Sequence, residues 1–348
     1  MSKQPTITEK IIVDRENIEP YSKVARTEST TSTSMSLVDI SMTKTDMSID
    51  QEASSATHEA KRKSQNILVS QPEAKASEPV EDIDTYDVMD PIFCTEYVNE
   101  IYKYLHQKEV SERIDPTYMA KQTNINHRMR GILVDWMIEV STKFKLTMET
   151  SFLAINIVDK YLEKRNVERN RLQLVGLVGI LVASKMEEVS AVEISDLVYI
   201  SDNAYTSQMI IEFEKEVMSA IEWNLTSPYP IHFLRRFSKA AQSDGYEHTI
   251  SKFLIELASV SYGMLKYLPS MLAAAAVYLG RRMAGEKVLW SKTSEHYSGY
   301  TIEQIMPCVK ELNALVLFPN PKLKAVHKKY STKKFGEVSK LSGIPDLV

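Results

Sequence analysis

The chain has 348 residues, a formal net charge of −4 and two cysteines, Cys94 and Cys308. That length allows two domains plus a tail, and that charge excludes an extended nucleic-acid surface. Two cysteines exclude a disulfide framework or a four-cysteine zinc site, and a reducing compartment is the default expectation.

Residues 1–90 carry 10 basic and 17 acidic side chains, so the tail is acidic and the remainder is net +3. The tail has no glycine and only Tyr21 and Tyr86 as aromatics, and about half of residues 27–57 are Ser or Thr. Such a segment cannot bury enough apolar area to offset its chain entropy, so the expectation is a disordered amino-terminal tail. Lys61-Arg62-Lys63 is a short basic cluster, read first as solvated charge and second as a fragment of an import signal. No Ser or Thr of the tail precedes a proline. No signal-peptide pattern opens the chain and no apolar run reaches membrane-spanning length, so no membrane partner is expected.

From Pro91 onward the pattern is helical. In the segment Met129 to Val140, Met129, Ile132, Leu133, Trp136 and Val140 share one helical face. Val134, Met137, Ile138 and Phe144 lie on an adjoining face, so apolar residues cover well over half of the circumference. Two readings follow. Periodicity alone favours a helix buried on several sides. The alternative is a second, exposed apolar face rimmed by Asp135 and Glu139, suited to a peptide with a basic residue near a hydrophobic one.

Further along, Met148, Phe152, Ile155, Val158 and Leu162 keep helical spacing, and Leu172 to Ala183 reads as a buried core helix. Thr206 and Thr301 offer hydroxyl caps before apolar periodicity. Ser227-Pro228-Tyr229-Pro230 interrupts helix and marks a domain junction. Residues 250–268 are again periodic, and sustained strand alternation is missing, so the fold class is all-α. The halves resemble each other. A shift of 95 residues lays Tyr205-Thr206 on Tyr300-Thr301, and a shift of 96 lays the helix at 172–183 on Leu268–Leu279. Each half then holds about five helices around a middle one rich in small residues (Gly176 and Gly179; Ala273–Ala276). The expected boundaries are a tail at 1–90, a first domain with its leading helix at 91–227, a second at 228–335 and a flexible end at 336–348.

The sequence lacks Gly-rich phosphate loops, kinase catalytic elements, HExxH and a G-x-S-x-G elbow. The seven histidines make no ligand pairs at metal spacing, and Asp82, Asp84, Glu187 and Glu188 read as solvated charges. No metal, no cofactor and no catalytic residue is expected; a binding or regulatory role is favoured.

Met129-Arg-Gly-Ile-Leu-Val-Asp-Trp136 followed by Glu139-Val140 resembles the cyclin-box signature, as do Leu172-Gln-Leu-Val175, Ala183-Ser-Lys-Met-Glu-Glu188 and Tyr199–Thr206. His232-Phe-Leu-Arg-Arg-Phe-Ser-Lys-Ala240 resembles mitotic B-type cyclins in particular. The resemblance covers about residues 90–335. It implies two tandem five-helix cyclin folds after a short helix near residues 93–107, and a non-catalytic subunit that binds and activates a cyclin-dependent kinase at G2/M. It implies that Lys185 and Glu214 anchor the kinase, with Met186, Trp223 and Phe233 as apolar neighbours. It also implies that Met129, Ile132, Leu133 and Trp136, with Leu172 and Gln173 beside them, recruit substrates or inhibitors carrying Arg-x-Leu segments, and that Asp135 and Glu139 meet the basic residue. Arg235, His248 and Lys252 match a phosphate-binding pocket of B-type cyclins; the alternative is three exposed basic residues.

The family also implies destruction through a ubiquitin ligase, the anaphase-promoting complex, and residence in nucleus and cytoplasm. The tail departs from the family, because none of its arginines opens an R-x-x-L box; Arg15-Glu16-Asn17 is one substitution from a KEN signal. Other readings are an A-type or other cell-cycle cyclin, and a tandem cyclin-fold adaptor resembling TFIIB or a pocket protein. An adaptor of that kind binds without a kinase, and His327–Lys334 is the closest approach to the basic face it would use on nucleic acid.

Overall fold

The computed structural model of the protein describes residues 79–347. Tail features within residues 1–78, including Arg15-Glu16-Asn17 and Lys61–Lys63, lie outside the described residues. Side-chain caps set the helix starts. Asn126 accepts from the N–H groups of Arg128 and Met129, Thr147 from Thr150, Thr206 from Met209 and Asp244 from Glu247. Thr301 and Gln304 form a reciprocal capping box. Each cap satisfies backbone donors that the first helical turn leaves without partners, worth about 1 kcal/mol.

The resulting helices are α1 (Val98–Ser111), α2 (His127–Phe144), α3 (Met148–Lys164), α4 (Leu172–Glu187), α5 (Ile194–Ile200) and α6 (Ser207–Ala220). After the junction come α7 (Pro230–Ala240), α8 (Gly245–Val260), α9 (Pro269–Ala284), α10 (Lys292–Ser298), α11 (Ile302–Leu317) and the short α12 (Ala325–Tyr330). Among the described residues there is no strand. Helices α2–α6 and α7–α11 are the two five-helix folds, with α1 leading and α12 trailing. Both lie within one unit of the chain, Lys75–Val348.

The internal repeat is real in three dimensions. Thr206 and Thr301 cap α6 and α11, the last helices of the two folds. The matched apolar runs become the central helices: α4 packs on α2, α3 and α6, and α9 packs on α7, α8 and α11. Small residues let the neighbours close in. A Cβ on Gly179 would lie 2.9 Å from the Ala154 carbonyl oxygen of α3, a backbone atom that cannot step aside. In α9, Ala273–Ala276 are all 0% exposed.

Four expectations need correction. The leading helix begins at Val98 rather than near residue 93, because Pro91–Phe93 form a 3-10 turn and Cys94 is left-handed at φ 46°. The tail does not run free to residue 90. The N–H groups of Glu81 and Ile83 donate to Thr293 Oγ1 and Tyr297 OH of α10, and Asp84 receives two bonds from Arg236 of α7 (2.5 and 2.6 Å). Asp84 is therefore a structural partner of a buried guanidinium rather than a solvated charge, and Lys239 adds bonds to Asp84 and Asp87. Nor does the chain end in a flexible segment. Val338 is fully buried, and Asn313 of α11 both donates to the Ile344 carbonyl and accepts from its N–H. Finally, Glu188 is not a solvated charge: it accepts from the Thr147 N–H (2.8 Å) and the Thr150 hydroxyl (2.6 Å).

Candidate functional site

The last turn of α4 projects Lys185 and Met186 from an otherwise buried helix. The Glu188 bonds tie this end of α4 to the start of α3. Across the α4–α6 packing, Lys185 Nζ meets Glu214 Oε1 at 2.5 Å, with the two side chains 47% and 20% exposed. A half-exposed ion pair contributes at most about 1 kcal/mol, so apolar packing rather than this pair joins α4 to α6. What the pair does is hold two opposite charges at a fixed spacing on the surface. Met186 beside it is 62% exposed.

Trp223 is 69% exposed, just past the end of α6. Glu222 and Trp223 both take left-handed backbone, φ 57° and 60°, and the Trp223 N–H closes the helix on the Met218 carbonyl. Non-glycine residues pay for that conformation, and here it presents an indole to solvent. The structure thus brings Lys185 and Glu214 together and leaves Met186 and Trp223 accessible. Phe233 does not join them. It is fully buried, because α7 turns positions 233 and 237 inward, and its ring packs on His106 of α1 at 4.9 Å and on Phe237 at 5.9 Å.

The α2 surface is smaller than its pattern suggested. Leu133 is fully buried, and Met129, Leu172 and Gln173 are at most 8% exposed. Ile132, Trp136 and Glu139 stay half-buried at the surface. Burial on several sides therefore accounts for most of this helix, which packs on α3, α4, α8 and α12. Asp135 needs the largest correction. It is 1% exposed, and its Oδ1 accepts from the Ala325 N–H at the start of α12 (2.8 Å). Glu139 faces Lys328 of the same helix at 3.4 Å. The carboxyl-terminal segment thus engages both acids of the expected rim, burying one and pairing the other at the surface.

Of the basic trio, Arg235 is exposed and bonded to Glu149 of α3 at 2.5 Å. His248 is buried, with Nδ1 2.9 Å from Ser238 Oγ, which sets it beside α7 about one turn after Arg235. Lys252 follows His248 by one turn on α8 and is half-buried. The trio is therefore not three exposed cations. Among the described residues, no group of three or more His, Cys, Asp or Glu side chains could hold a metal ion, and no helix is long and apolar enough to cross a membrane.

Two features escaped the sequence reading. Arg130, 1% exposed, donates Nε and Nη2 to the Asp159 carboxylate of α3 (2.7 and 2.6 Å) and Nη1 to the Ser259 carbonyl of the second fold (2.9 Å). Tyr118 OH completes the carboxylate shell at 2.7 Å. Burial alone would lower the Arg130 pKa; Asp159 outweighs it and raises the value. The second feature is an exposed stripe on α1 and the residue before it: Tyr97, Ile101 and Tyr104 are 43–56% exposed, on a face adjoining the one that carries half-buried Tyr102 and Leu105 and buried Glu109. The spacing i, i+4, i+7 was the available signal.

Comparison with known proteins places this geometry. Residues 100–226 match the family model "Cyclin, N-terminal domain" and residues 228–343 match "Cyclin, C-terminal domain". The chain is 46% identical over 264 residues to the G2/mitotic-specific cyclin-B of Hydra viridissima, covering 75% of this chain and 67% of that one. It is 47% identical over 267 residues to cyclin-B2-1 of Oryza sativa subsp. japonica (76% and 63%). It is 44% identical over 265 residues to the G2/mitotic-specific cyclin-B of Dictyostelium discoideum (76% and 61%). The matched stretch thus spans about two thirds or less of each relative's length. A viral cyclin from herpesvirus saimiri, solved by X-ray, shares the fold at a TM-score of 0.56 and 21% identity, covering 60% of this chain and 93% of that one.

Proposed function

The chain belongs to the cyclin family, in its mitotic B-type branch, and from that premise we propose that it binds and activates a cyclin-dependent Ser/Thr kinase at G2/M. The observation that carries the reading is the surface Lys185–Glu214 pair, with Met186 exposed next to Lys185 in the chain and Trp223 exposed past the end of α6. Two fixed charges set register against a partner, while the thioether and indole supply burial. Because the two side chains already contact each other, part of their ordering entropy is lost before a partner arrives. Activation is conformational: the cyclin favours the kinase state in which the ATP-aligning Lys–Glu pair is formed, and contributes no catalytic group itself.

We assign substrate recruitment to the exposed remainder of the α2 surface, Ile132, Trp136 and Glu139. A docked Arg-x-Leu segment would place its basic residue on Glu139, displacing Lys328. Asp135, buried and bonded to the Ala325 N–H, is left out of that role. Arg235, His248 and Lys252 form the proposed phosphate pocket, in which a phosphate would replace Glu149 as the partner of Arg235. Destruction through a ubiquitin ligase and residence in nucleus and cytoplasm are part of the same proposal and rest on the family alone.

The test mixes the full chain with an activation-loop-phosphorylated monomeric cyclin-dependent kinase and follows phosphorylation of a Ser/Thr-Pro-Lys peptide. Strong activation is expected from the native chain. A Lys185→Ala, Glu214→Ala double variant with unchanged helicity should lose at least about tenfold of it, equivalent to 1.4 kcal/mol of binding. Failure of the native chain with several mitotic and interphase kinases would overturn the reading.

A further inference from the structure

A half-open cavity of about 130 Å³ lies where the end of α1, the first fold, the 227–230 junction and the second fold meet. Its wall is mostly carbon: Phe152 and Ile155 come from α3, Ile255 from α8, and Leu265 and Leu272 from the entry to α9 and its first turn. The charged groups around it already have hydrogen-bond partners. Glu109 accepts from the Ser270 N–H and hydroxyl, Arg130 donates to Asp159 and Ser259, Glu112 accepts from Asn224, and Arg113 donates to the Lys266 carbonyl.

Two lining atoms are different. Asn156 Oδ1 and Ser227 Oγ are buried and have no hydrogen-bond partner. Buried polar atoms of this kind ordinarily find one, since leaving them unpaired is costly. Neither residue belongs to the kinase-facing or docking surfaces. The volume is close to that of an engineered apolar cavity of about 150 Å³ that holds benzene. A lining that is mostly carbon disfavours a charged guest. It favours a ring-sized carbon body, and the Asn156 oxygen requires a donor from it.

We propose that this cavity is a small-molecule site between the two folds. It takes a neutral, ring-sized apolar molecule carrying one O–H or N–H, which donates to Asn156 Oδ1 while Ser227 supplies a second polar contact. Because its walls come from both folds and from the leading segment, an occupant ties them together and stabilises their native arrangement.

The test uses the full chain with phenol as probe and toluene as the donor-free control, read by ligand-observed NMR titration and by thermal unfolding. Phenol should bind about fivefold more tightly than toluene, the worth of one hydrogen bond of about 1 kcal/mol, and should raise the unfolding temperature. Asn156→Leu should erase the preference without abolishing binding. Leu272→Trp, or Ile255→Phe if that chain does not fold, should abolish binding of both. The proposal is overturned if neither molecule binds, if binding survives the filling variant, or if phenol shows no preference that depends on Asn156. It is equally overturned if ordered water bridges Asn156 and Ser227 and stays in place at saturating phenol.

Discussion

Two surfaces of the first fold were read from motifs of the same resemblance, and they turned out differently. At the ends of α4 and α6 the expected residues stand open: Lys185 is 47% exposed in its side chain and Met186 62% on α4, and Trp223 is 69% exposed past α6. Of the six expected residues on α2 three are inside, and α12 meets both acids from nearly two hundred residues away. Helical periodicity assigns faces within one element. It does not say which distant segment will lie on each face. The outward turn of α4 leaves Lys185 and Met186 exposed, whereas Leu323 and α12 lie against the α2 face.

The sharpest way to break this comparison is to remove the anchor under α2. Arg130→Met strands the Asp159 carboxylate and the Ser259 carbonyl in the interior. Loss of one partner of a buried pair costs about 3–5 kcal/mol. Denaturant unfolding should show that loss, and a matched Lys185→Ala chain should change by less than about 1 kcal/mol. Equal effects would mean that the two surfaces are supported alike.

The second fold has its own buried pair, and it is less complete. Arg281 reaches Glu247 at 3.1 Å and also bonds the Ala241 and Val288 carbonyls. Burial pushes the Glu247 carboxyl from its ordinary value near 4.5 up to about 7, against the pull of Arg281. A raised carboxyl pKa means that the folded chain binds the proton more tightly than the unfolded chain. Stability from this group is therefore complete below about pH 4.5 and is lost as pH rises through about 7. The expected loss is on the order of 1–3 kcal/mol. Glu247→Gln should flatten this component of the pH–stability curve, while a first-fold variant such as Lys185→Ala leaves it in place.

Asp135→Ala tests the covered face directly. It removes the acceptor of the Ala325 N–H and leaves that donor buried, a loss of about 1–3 kcal/mol. Proteolysis within residues 325–335 should accelerate, and Asp135→Asn, which keeps an acceptor oxygen, should restore most of the stability. An unchanged unfolding curve for Asp135→Ala would show that α12 is held by its apolar contacts alone.

These contrasts locate what the residues disclosed. The helix class, the repeat and both central helices were legible, because Thr206, Thr301 and the 172–183 and 268–279 runs act through local caps and nearest-neighbour packing. Phe233, Asp135 and the docked 81–87 segment were not. Their environments are built by α1, α12 and α7, and neither spacing nor composition encodes a contact between residues 84 and 236 or between 135 and 325. Arg130 lay in plain view within the most informative motif, and its role depended on Asp159 and Ser259 being brought to it.

The smallest effect expected bears most directly on docking. Lys328 is 76% exposed and sits 3.4 Å from Glu139, the acid proposed to receive a peptide's basic residue. The pair contributes less than about 1 kcal/mol, and under the proposed docking an incoming Arg would have to displace it, a small handicap for the native chain. Lys328→Ala should therefore tighten an Arg-x-Leu peptide about two- to fivefold by fluorescence anisotropy, the ratio that follows from that energy. Glu139→Gln should weaken the peptide and remove the effect of Lys328→Ala, since both act through one carboxylate. If Lys328→Ala weakens the peptide instead, α12 is part of the docking surface, and the covered and open faces differ only in which segment completes them.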